Sequence, residues 1–235
     1  MIRFVKHFLQ QLETPKSKPI QAMPSGAPAA GSVVRRGVRG RLTAVTSLPD
    51  ISELAPFQLE AWRAWFIAAA STVIRWVPEG GVAIFYQSDI RHQHVWIDKG
   101  HLISRAAEDE QAALIWHKIV CRSRPGTITP GRPSYSHMLC VSKSPFATPT
   151  RPGPDVLADA GYMPWSRAMG ENACRVACRF LRDETATTTV VDPFCGEGSV
   201  LAVANALGFT AVGIDLSARR CKVARQQILD SSSRR

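Results

Sequence analysis

The sequence lacks the long apolar runs that membrane-spanning helices require. Its longest apolar stretches, such as Trp65 to Ala70, stop far short of the roughly 20 residues that a helix needs to cross a bilayer. The amino-terminal region also has no continuous apolar segment of the kind found in a secretory signal. We therefore expect no transmembrane helix, no secretion and no membrane partner.

Cysteines are few and do not form metal-binding pairs. The chain has 6 cysteines and no Cys-x-x-Cys motif, the spacing that is typical of structural zinc sites. Cys174 and Cys178 are four residues apart and would face the same core from one helix. The histidines between residues 92 and 137 show no metal-ligand spacing either. The sequence therefore predicts reduced, buried thiols and no bound metal.

Acidic residues are scarce relative to basic ones. The chain has 29 Lys and Arg against 19 Asp and Glu, a net charge of +10, which favours a polyanionic partner. The stretch from Cys121 to Pro154 contains no acid at all. We predict that its arginines contact nucleic-acid phosphates: Arg122, Arg124, Arg132 and Arg151. The alternative is that these charges only keep a loop soluble.

The two ends of the chain differ in composition from its middle. Residues 1–40 are basic and rich in Pro, Ser, Ala and Gly, so we expect a flexible segment there. Its first 12 residues are typical of a short basic amphipathic helix. This indicates either a mitochondrial transit peptide, which would place the protein in the mitochondrial matrix, or a nucleic-acid-binding arm of a cytoplasmic protein. The polar tail 231–235 is expected to be disordered.

From residue 41 to residue 230, short apolar runs alternate with helical patterns, which predicts a single α/β domain. The expected strands are Leu42–Val45, Val82–Tyr86, Ala113–Val120, Ser136–Ser142, Thr188–Val191 and Ala211–Ile214. The expected helices are Phe57–Trp76, Lys99–Glu110, Ala173–Leu181, Val200–Leu207 and Ala218–Leu229.

A glycine-containing turn follows the fifth predicted strand. Val190–Asp192 leads into Gly196-Glu197-Gly198 and a helix, and Asp215 ends the next strand 17 residues after Gly198. Such a turn lets the backbone approach a nucleoside, and an acid at the next strand end can accept hydrogen bonds from a ribose. The motif lacks a third glycine and a Gly-Lys-Ser/Thr sequence, which disfavours phosphate binding. A tight turn that serves only packing is the other interpretation.

These residues resemble the S-adenosylmethionine loop of nucleic-acid amino-methyltransferases, which modify N4 of cytosine or N6 of adenine. The resemblance implies a Rossmann-like methyltransferase fold, with a mostly parallel twisted sheet and helices on both faces. It also implies S-adenosylmethionine as cofactor, with Asp215 on the ribose hydroxyls. The other residues that the resemblance places at the cofactor are Asp192, Phe194, Cys195, Gly196, Gly198, Trp165 and Arg167.

In one branch of that family the catalytic half comes first, in circularly permuted order, and carries Ser-Pro-Pro-Tyr or Asp-Pro-Pro-Tyr. The matching segment here is Ser47-Leu48-Pro49-Asp50. The resemblance implies that Ser47 and the Leu48 carbonyl accept hydrogen bonds from the target amine. Asp50 replaces the aromatic residue that stacks on a flipped base. It would be a base, a hydrogen-bond acceptor or a helix cap.

The resemblance to this family also raises the question of which residues act as a further acid and as the stacking ring. Asp89, which follows the second predicted strand, is a further candidate acid. Trp62, Phe57 or Trp165 would supply the missing stacking ring, unless they belong to the core.

Only about 20 residues separate Lys143 from Trp165, too few for a target-recognition domain. We therefore expect methylation of nucleic acid at a base amine and favour structured RNA, rRNA or tRNA, over DNA as the substrate, with a ribosomal or other ribonucleoprotein assembly as a further partner. One alternative is a catalytically inactive, methyltransferase-like protein that binds RNA or assists ribosome assembly. Another is a methyltransferase acting on small molecules or proteins.

Overall fold

The structure, a computed structural model, describes residues 3, 5–7, 31–33, 41–54, 57–144, 150–227 and 229. Its main feature is an eight-stranded sheet in the order β1-β10-β9-β2-β3-β7-β6-β8. The strands are β1 Gly31–Val33, β2 Arg41–Thr46, β3 Ala83–Gln87, β6 Ala113–Cys121, β7 Tyr135–Ser142, β8 Val156–Leu157, β9 Thr187–Asp192 and β10 Thr210–Asp215. A separate hairpin consists of β4 Ile90–His92 and β5 Val95–Ile97.

Most of the sheet is parallel. Strands β10, β9, β2 and β3 run in one direction, and β6 and β8 share it, because β7 is antiparallel to both β3 and β6. Strand β1 pairs antiparallel with β10. The predicted α/β architecture with a mostly parallel sheet is confirmed.

Helices cover both faces of the sheet. The helices are α1 Leu59–Trp76, α2 Lys99–Asp109, α3 Glu171–Glu184, α4 Ser199–Ala206 and α5 Ala218–Gln226. Helices α1 and α2 pack on one face, in a core that contains Phe85, and α3 and α4 pack on the other, in a core that contains Ile84. Because neighbouring residues of β3 enter different cores, this strand is buried along its whole length.

The long predicted elements are confirmed, with shifts of one to three residues at their ends. The last helix stops at Gln226 rather than Leu229. Four short strands were not predicted: β1, the hairpin strands β4 and β5, and β8. They are two to three residues long per strand, so they present too little alternation to be recognised.

Strand β1 lies inside the segment 1–40 that was expected to be flexible. Its residues pair with Gly213–Asp215 of β10, so the sheet begins before residue 41. Val5, in the same segment, is only 3% exposed and belongs to the core beneath α1. Residues 231–235, expected to be disordered, lie outside the described residues.

The chain crosses the sheet in two directions from its centre. The unit β2-α1-β3 extends one way and the unit β9-α4-β10 extends the other, while β2 and β9 are adjacent and parallel. Ligands of open α/β sheets bind where the strand order reverses in this way, outside the carboxyl ends of the strands. Because the first unit precedes the second along the chain, the predicted permuted order is confirmed.

All six cysteines are free, and only Cys121 is not fully buried. Among the described residues, no helix combines the length and the apolar character that crossing a membrane would require.

Candidate active site

The turn between β9 and α4 has the geometry that its two glycines permit. Gly196 and Gly198 both have positive φ, +52° and +86°. The Gly198 amide donates to the Cys195 carbonyl at 2.8 Å, and the Cys195 amide donates to Ile214 of β10 at 2.8 Å. The turn is therefore attached to the neighbouring strand, directly beside Asp215.

Gly198 is expected to tolerate no side chain. A Cβ at this position would lie 2.8 Å from the Cβ of Ala224 in α5. We expect Gly198→Ala to lower the free energy of unfolding by about 2 kcal/mol, from the left-handed backbone and the contact together. Gly208→Ala is the matched control, because Gly208 has φ +90° but open space around it; it should cost about 1 kcal/mol. If urea unfolding shows that the two variants lose the same free energy of unfolding, the contact with Ala224 contributes nothing to the effect.

Asp192 joins the two halves of the sheet at the strand-order reversal. Its Oδ1 accepts a hydrogen bond from Thr46 Oγ1 at 2.6 Å and from the Phe194 amide at 3.0 Å. Burial raises the pKa of Asp192 to about 7, although both hydrogen bonds act in the opposite direction. The carboxyl group is thus poised between its two protonation states near neutral pH.

Two adjoining cavities open along this edge of the sheet. The larger, of about 210 Å³, lies between the segment after β2, the glycine turn and the end of β10. The smaller, of about 40 Å³, lies between the glycine turn and the segment before α3. Ser47, Arg167 and Phe194 line both, so the cavities meet at these residues.

Most predicted site residues are brought together here. Those that line the larger cavity are Ser47, Leu48, Pro49, Arg167, Phe194, Gly196 and Asp215. Those that line the smaller one are Ser47, Trp165, Arg167, Asp192, Phe194 and Cys195. Gly198 begins α4 behind the turn, and Asp50 is directed toward Lys99.

Asp215 is held in place at the end of β10. Its Oδ1 accepts the Ser217 amide at 2.7 Å, and its Oδ2 lies 3.7 Å from the guanidinium of Arg220. That guanidinium stacks on the Trp165 ring at 4.9 Å. Among the described residues, one carboxylate oxygen of Asp215 therefore has only a long ionic contact, and it is available to a ligand in the larger cavity.

Glu53 is a site residue that the sequence did not reveal. It lines the larger cavity, and its carboxylate lies 3.4 Å from Arg167 and 3.8 Å from Arg220. The only sequence signal is its spacing, three residues after Asp50, which is typical of a capping box. The Asp50 amide does donate to Glu53 at 3.1 Å.

The segment after β2 is rigidly supported. The indole of Trp62 donates to the Pro49 carbonyl at 3.3 Å, and Trp62 is fully buried, so it belongs to the core and is not an exposed stacking surface. Asp50 precedes a short 3-10 helix, Ile51–Glu53, rather than α1. Its carboxylate forms an ion pair with Lys99.

Lys99 is an unusual neighbour, because only 3% of its side chain is exposed. Burial lowers the pKa of Lys99, and the charge of Asp50 opposes that shift. The sequence placed Lys99 only at the start of a helix.

Asp89, the second candidate acid, lies at the centre of a hydrogen-bond network. It accepts from the Lys99 amide at 2.9 Å, from the Trp96 indole at 3.1 Å and from Tyr135 at 3.3 Å, and lies 3.2 Å from His137 Nε2. Burial raises the pKa of Asp89, but the His137 and Lys99 contacts outweigh it, so the net pKa is lowered. Its role here is to position Lys99 and Trp96.

Asp89, Asp98 and His137 also place one ligand atom each within 4.8 Å of one another. The Asp89 oxygens are occupied by the donors of the network, and Asp98 caps α2 through the His101 amide. The hydrogen bonds alone account for this cluster.

The predicted phosphate-binding arginines separate into three environments. Arg122 donates to Ser88 Oγ at 2.8 Å and to the Ser166 carbonyl, so it is an internal support. Arg124 and Arg132 are exposed on the loop after β6, at the same sheet edge as the cavities. Arg151 binds Glu184 through its backbone at 2.8 Å. Since Glu184 ends α3 shortly before β9 begins, Arg151 lies at the opposite edge.

Several solved structures share this fold. The PvuII DNA methyltransferase, cytosine-N4-specific, matches with a TM-score of 0.63 and 13% identity over 81% of this chain and 80% of its own. TTHA0409, a putative DNA modification methylase from Thermus thermophilus, matches in complex with S-adenosyl-L-methionine with a TM-score of 0.59 and 19% identity, over 79% and 84%. The M1.HpyAVI–SAM complex gives 0.54 and 12%, over 79% and 87%.

No protein-family model matches the sequence, and neither does any curated protein. At these identities the structural matches define the fold. The chain therefore has the Rossmann-like methyltransferase fold that the resemblance predicted.

Proposed function

We propose that this protein is an S-adenosylmethionine-dependent methyltransferase that acts on nucleic acid. The observation that carries the proposal is the meeting of Ser47 with the glycine turn at the junction of two cavities. A donor held by the turn and an acceptor held by the segment after β2 would then face each other. The net charge of +10 favours a polyanionic substrate.

The residues present fit the proposed cofactor. Asp215 offers an acceptor for ribose hydroxyls at the larger cavity, and Asp192 offers a carboxyl group at the smaller one. The Gly196 backbone allows close approach of a nucleoside. When bound, the cofactor would supply an electrophilic methyl group; Ser47 and the Leu48 carbonyl would orient the acceptor amine.

For the substrate, we propose structured RNA, such as rRNA or tRNA, methylated at a base exocyclic amine, within a ribosomal or other ribonucleoprotein assembly. The supporting observation is the small size of the region before α3, where the described residues 150–170 contain only the two-residue strand β8. This region is too small to form a separate domain that would recognise a nucleotide sequence. We also propose that the protein is located in the mitochondrial matrix or, as the alternative, in the cytoplasm.

A second candidate is a catalytically inactive protein of the same fold that binds RNA or assists ribosome assembly. The Asp50–Lys99 ion pair favours it, because a carboxylate bound to an ammonium stands where the resemblance places a stacking ring. Such a protein would keep the cleft and the basic loop and lack turnover.

The test begins with calorimetric titration of the full chain with S-adenosylmethionine, followed by transfer of a tritiated methyl group to total RNA, DNA or protein. Binding with transfer to RNA is the expected result. Binding without transfer to any of the three would favour the inactive candidate, and transfer to protein alone would refute the nucleic-acid substrate. Nucleoside mass spectrometry of RNA from cells lacking the protein would then identify the modified base.

The raised pKa of Asp192 predicts a specific pH dependence of stability. An acid whose pKa is higher in the folded state binds a proton there more readily than in the unfolded chain. Ionisation therefore destabilises the fold progressively from about pH 4 to about pH 7, and has no further effect above that. The wild type should lose stability relative to Asp192→Asn across this window, as measured by urea unfolding. Parallel profiles would show that folding does not raise the pKa of Asp192.

A further inference from the structure

The hairpin β4–β5 presents an exposed aromatic ring at the active edge of the sheet. It follows β3 directly, and Trp96 is 45% exposed, although its indole nitrogen is anchored to Asp89 at 3.1 Å. The anchor connects the hairpin to the proposed site, because Asp89 also holds the Lys99 amide and Lys99 pairs with Asp50. A large ring is thus fixed in orientation while its surface remains open to solvent.

The same face of the hairpin carries an arginine. Arg91 lies directly across the two strands from Trp96, and residues 90–97 include no acid. Gln93 and His94 form the turn with φ of +47° and +68°, a conformation that normally selects Asn-Gly. Strained backbone of this kind is retained most often where a loop has a function.

A second exposed element stands beside the hairpin. The loop 122–134 connects β6 to β7, and Tyr135 at its end contacts the same Asp89 as Trp96 does. Arg124 and Arg132 are exposed in this acid-free loop, and Ile128 at its tip is 89% exposed. Isoleucine is one of the apolar side chains that nucleic-acid-binding proteins insert between bases.

We infer that the hairpin 90–97 and the loop 122–134 together form a contact surface for nucleic acid with unpaired bases. Trp96 stacks on a base, Arg91, Arg124 and Arg132 bind phosphates, and Ile128 packs against a neighbouring base. Unpaired bases are favoured because their faces are free to stack, whereas a regular duplex covers them. This inference rests on the proposed function.

The test is fluorescence anisotropy of the full chain with a labelled single-stranded RNA 20-mer of mixed sequence and with its duplex. The protein should bind the single-stranded RNA more tightly than the duplex. Trp96→Ala should weaken that binding by about 5- to 150-fold, the range for loss of one stacked base. Trp96→Phe should largely preserve it. Arg124→Ala should weaken binding and reduce the slope of affinity against salt by about one.

Two control variants lie away from this edge. Leu114→Ala removes an exposed apolar side chain at the start of β6, and Arg179→Ala removes an exposed charge in the second half of α3; both should bind RNA like the wild type. Preference for the duplex, or equal losses in Trp96→Phe and Trp96→Ala, would overturn the inference. Wild-type RNA affinity of Trp96→Ala would do the same. If one of these results is found but the wild type still binds cofactor and RNA, only this inference fails and the proposed function stands. If the wild type binds neither cofactor nor RNA, the inference and the proposed function both fail.

Discussion

Replacement of Asp215 by alanine is expected to weaken S-adenosylmethionine binding by about 1 to 3 kcal/mol, the range for losing a charged hydrogen-bond acceptor. The structure gives the reason: the carboxylate ends β10 at the wall of the larger cavity, and within the described part of the chain one of its oxygens has only the 3.7 Å contact with Arg220. Calorimetric titration of the wild type and the variant measures the difference directly.

The controls separate binding from local folding. Asp215→Asn keeps an oxygen that can accept the Ser217 amide but loses the charge, so it should fall between the wild type and Asp215→Ala. Asp155→Ala removes a carboxylate that is 87% exposed near Lys118, outside the cavities, and should leave affinity unchanged. An Asp215→Ala variant with wild-type affinity would refute the assignment of the ribose acceptor.

Asp50→Asn is expected to lower the free energy of unfolding by about 3 to 5 kcal/mol, the range for breaking a buried ion pair. Lys99 is 3% exposed and would lose its nearest counter-ion, which lowers its pKa further; Asp89 and Glu53 give weaker compensation. Lys99→Met should cost less, because the Asp50 side chain left behind is 23% exposed. The double variant should recover much of the loss. The wild type, the two single variants and the double variant form a double-mutant cycle, and urea unfolding measures the free energy of unfolding of each.

The same variants test the chemistry proposed for Asp50. If Asp50 is a base, Asp50→Asn abolishes methyl transfer while cofactor affinity changes little. If Asp50 serves only to begin the 3-10 helix and to pair with Lys99, activity per folded molecule is retained. A smaller stability loss in Asp50→Asn than in Lys99→Met would contradict the asymmetry predicted from burial.

Much of the fold was predictable because its long elements have strong periodic signals. Helix α1 carries Trp62, Trp65, Phe66 and Val73 on one buried side, and the central strand β3 has an apolar run from Ala83 to Phe85. The glycine turn was equally predictable, since positive φ and close approach restrict Gly198 to one residue type. The short strands β1, β4, β5 and β8 were not, because each is held by its partner strand rather than by its own pattern.

The amino-acid sequence by itself determined the order of strands and helices, the turn around Cys195 and the acids that end β9 and β10, because these depend on local backbone geometry and periodicity. Only the tertiary structure decided which charges meet. Lys99 pairs with Asp50 across 49 positions, Glu53 faces Arg167 and Arg220, and Trp96 is anchored to Asp89. Such pairs form where the carboxyl ends of separate strands lie side by side in the sheet. The positions of these residues in the sequence do not show that the fold makes them neighbours.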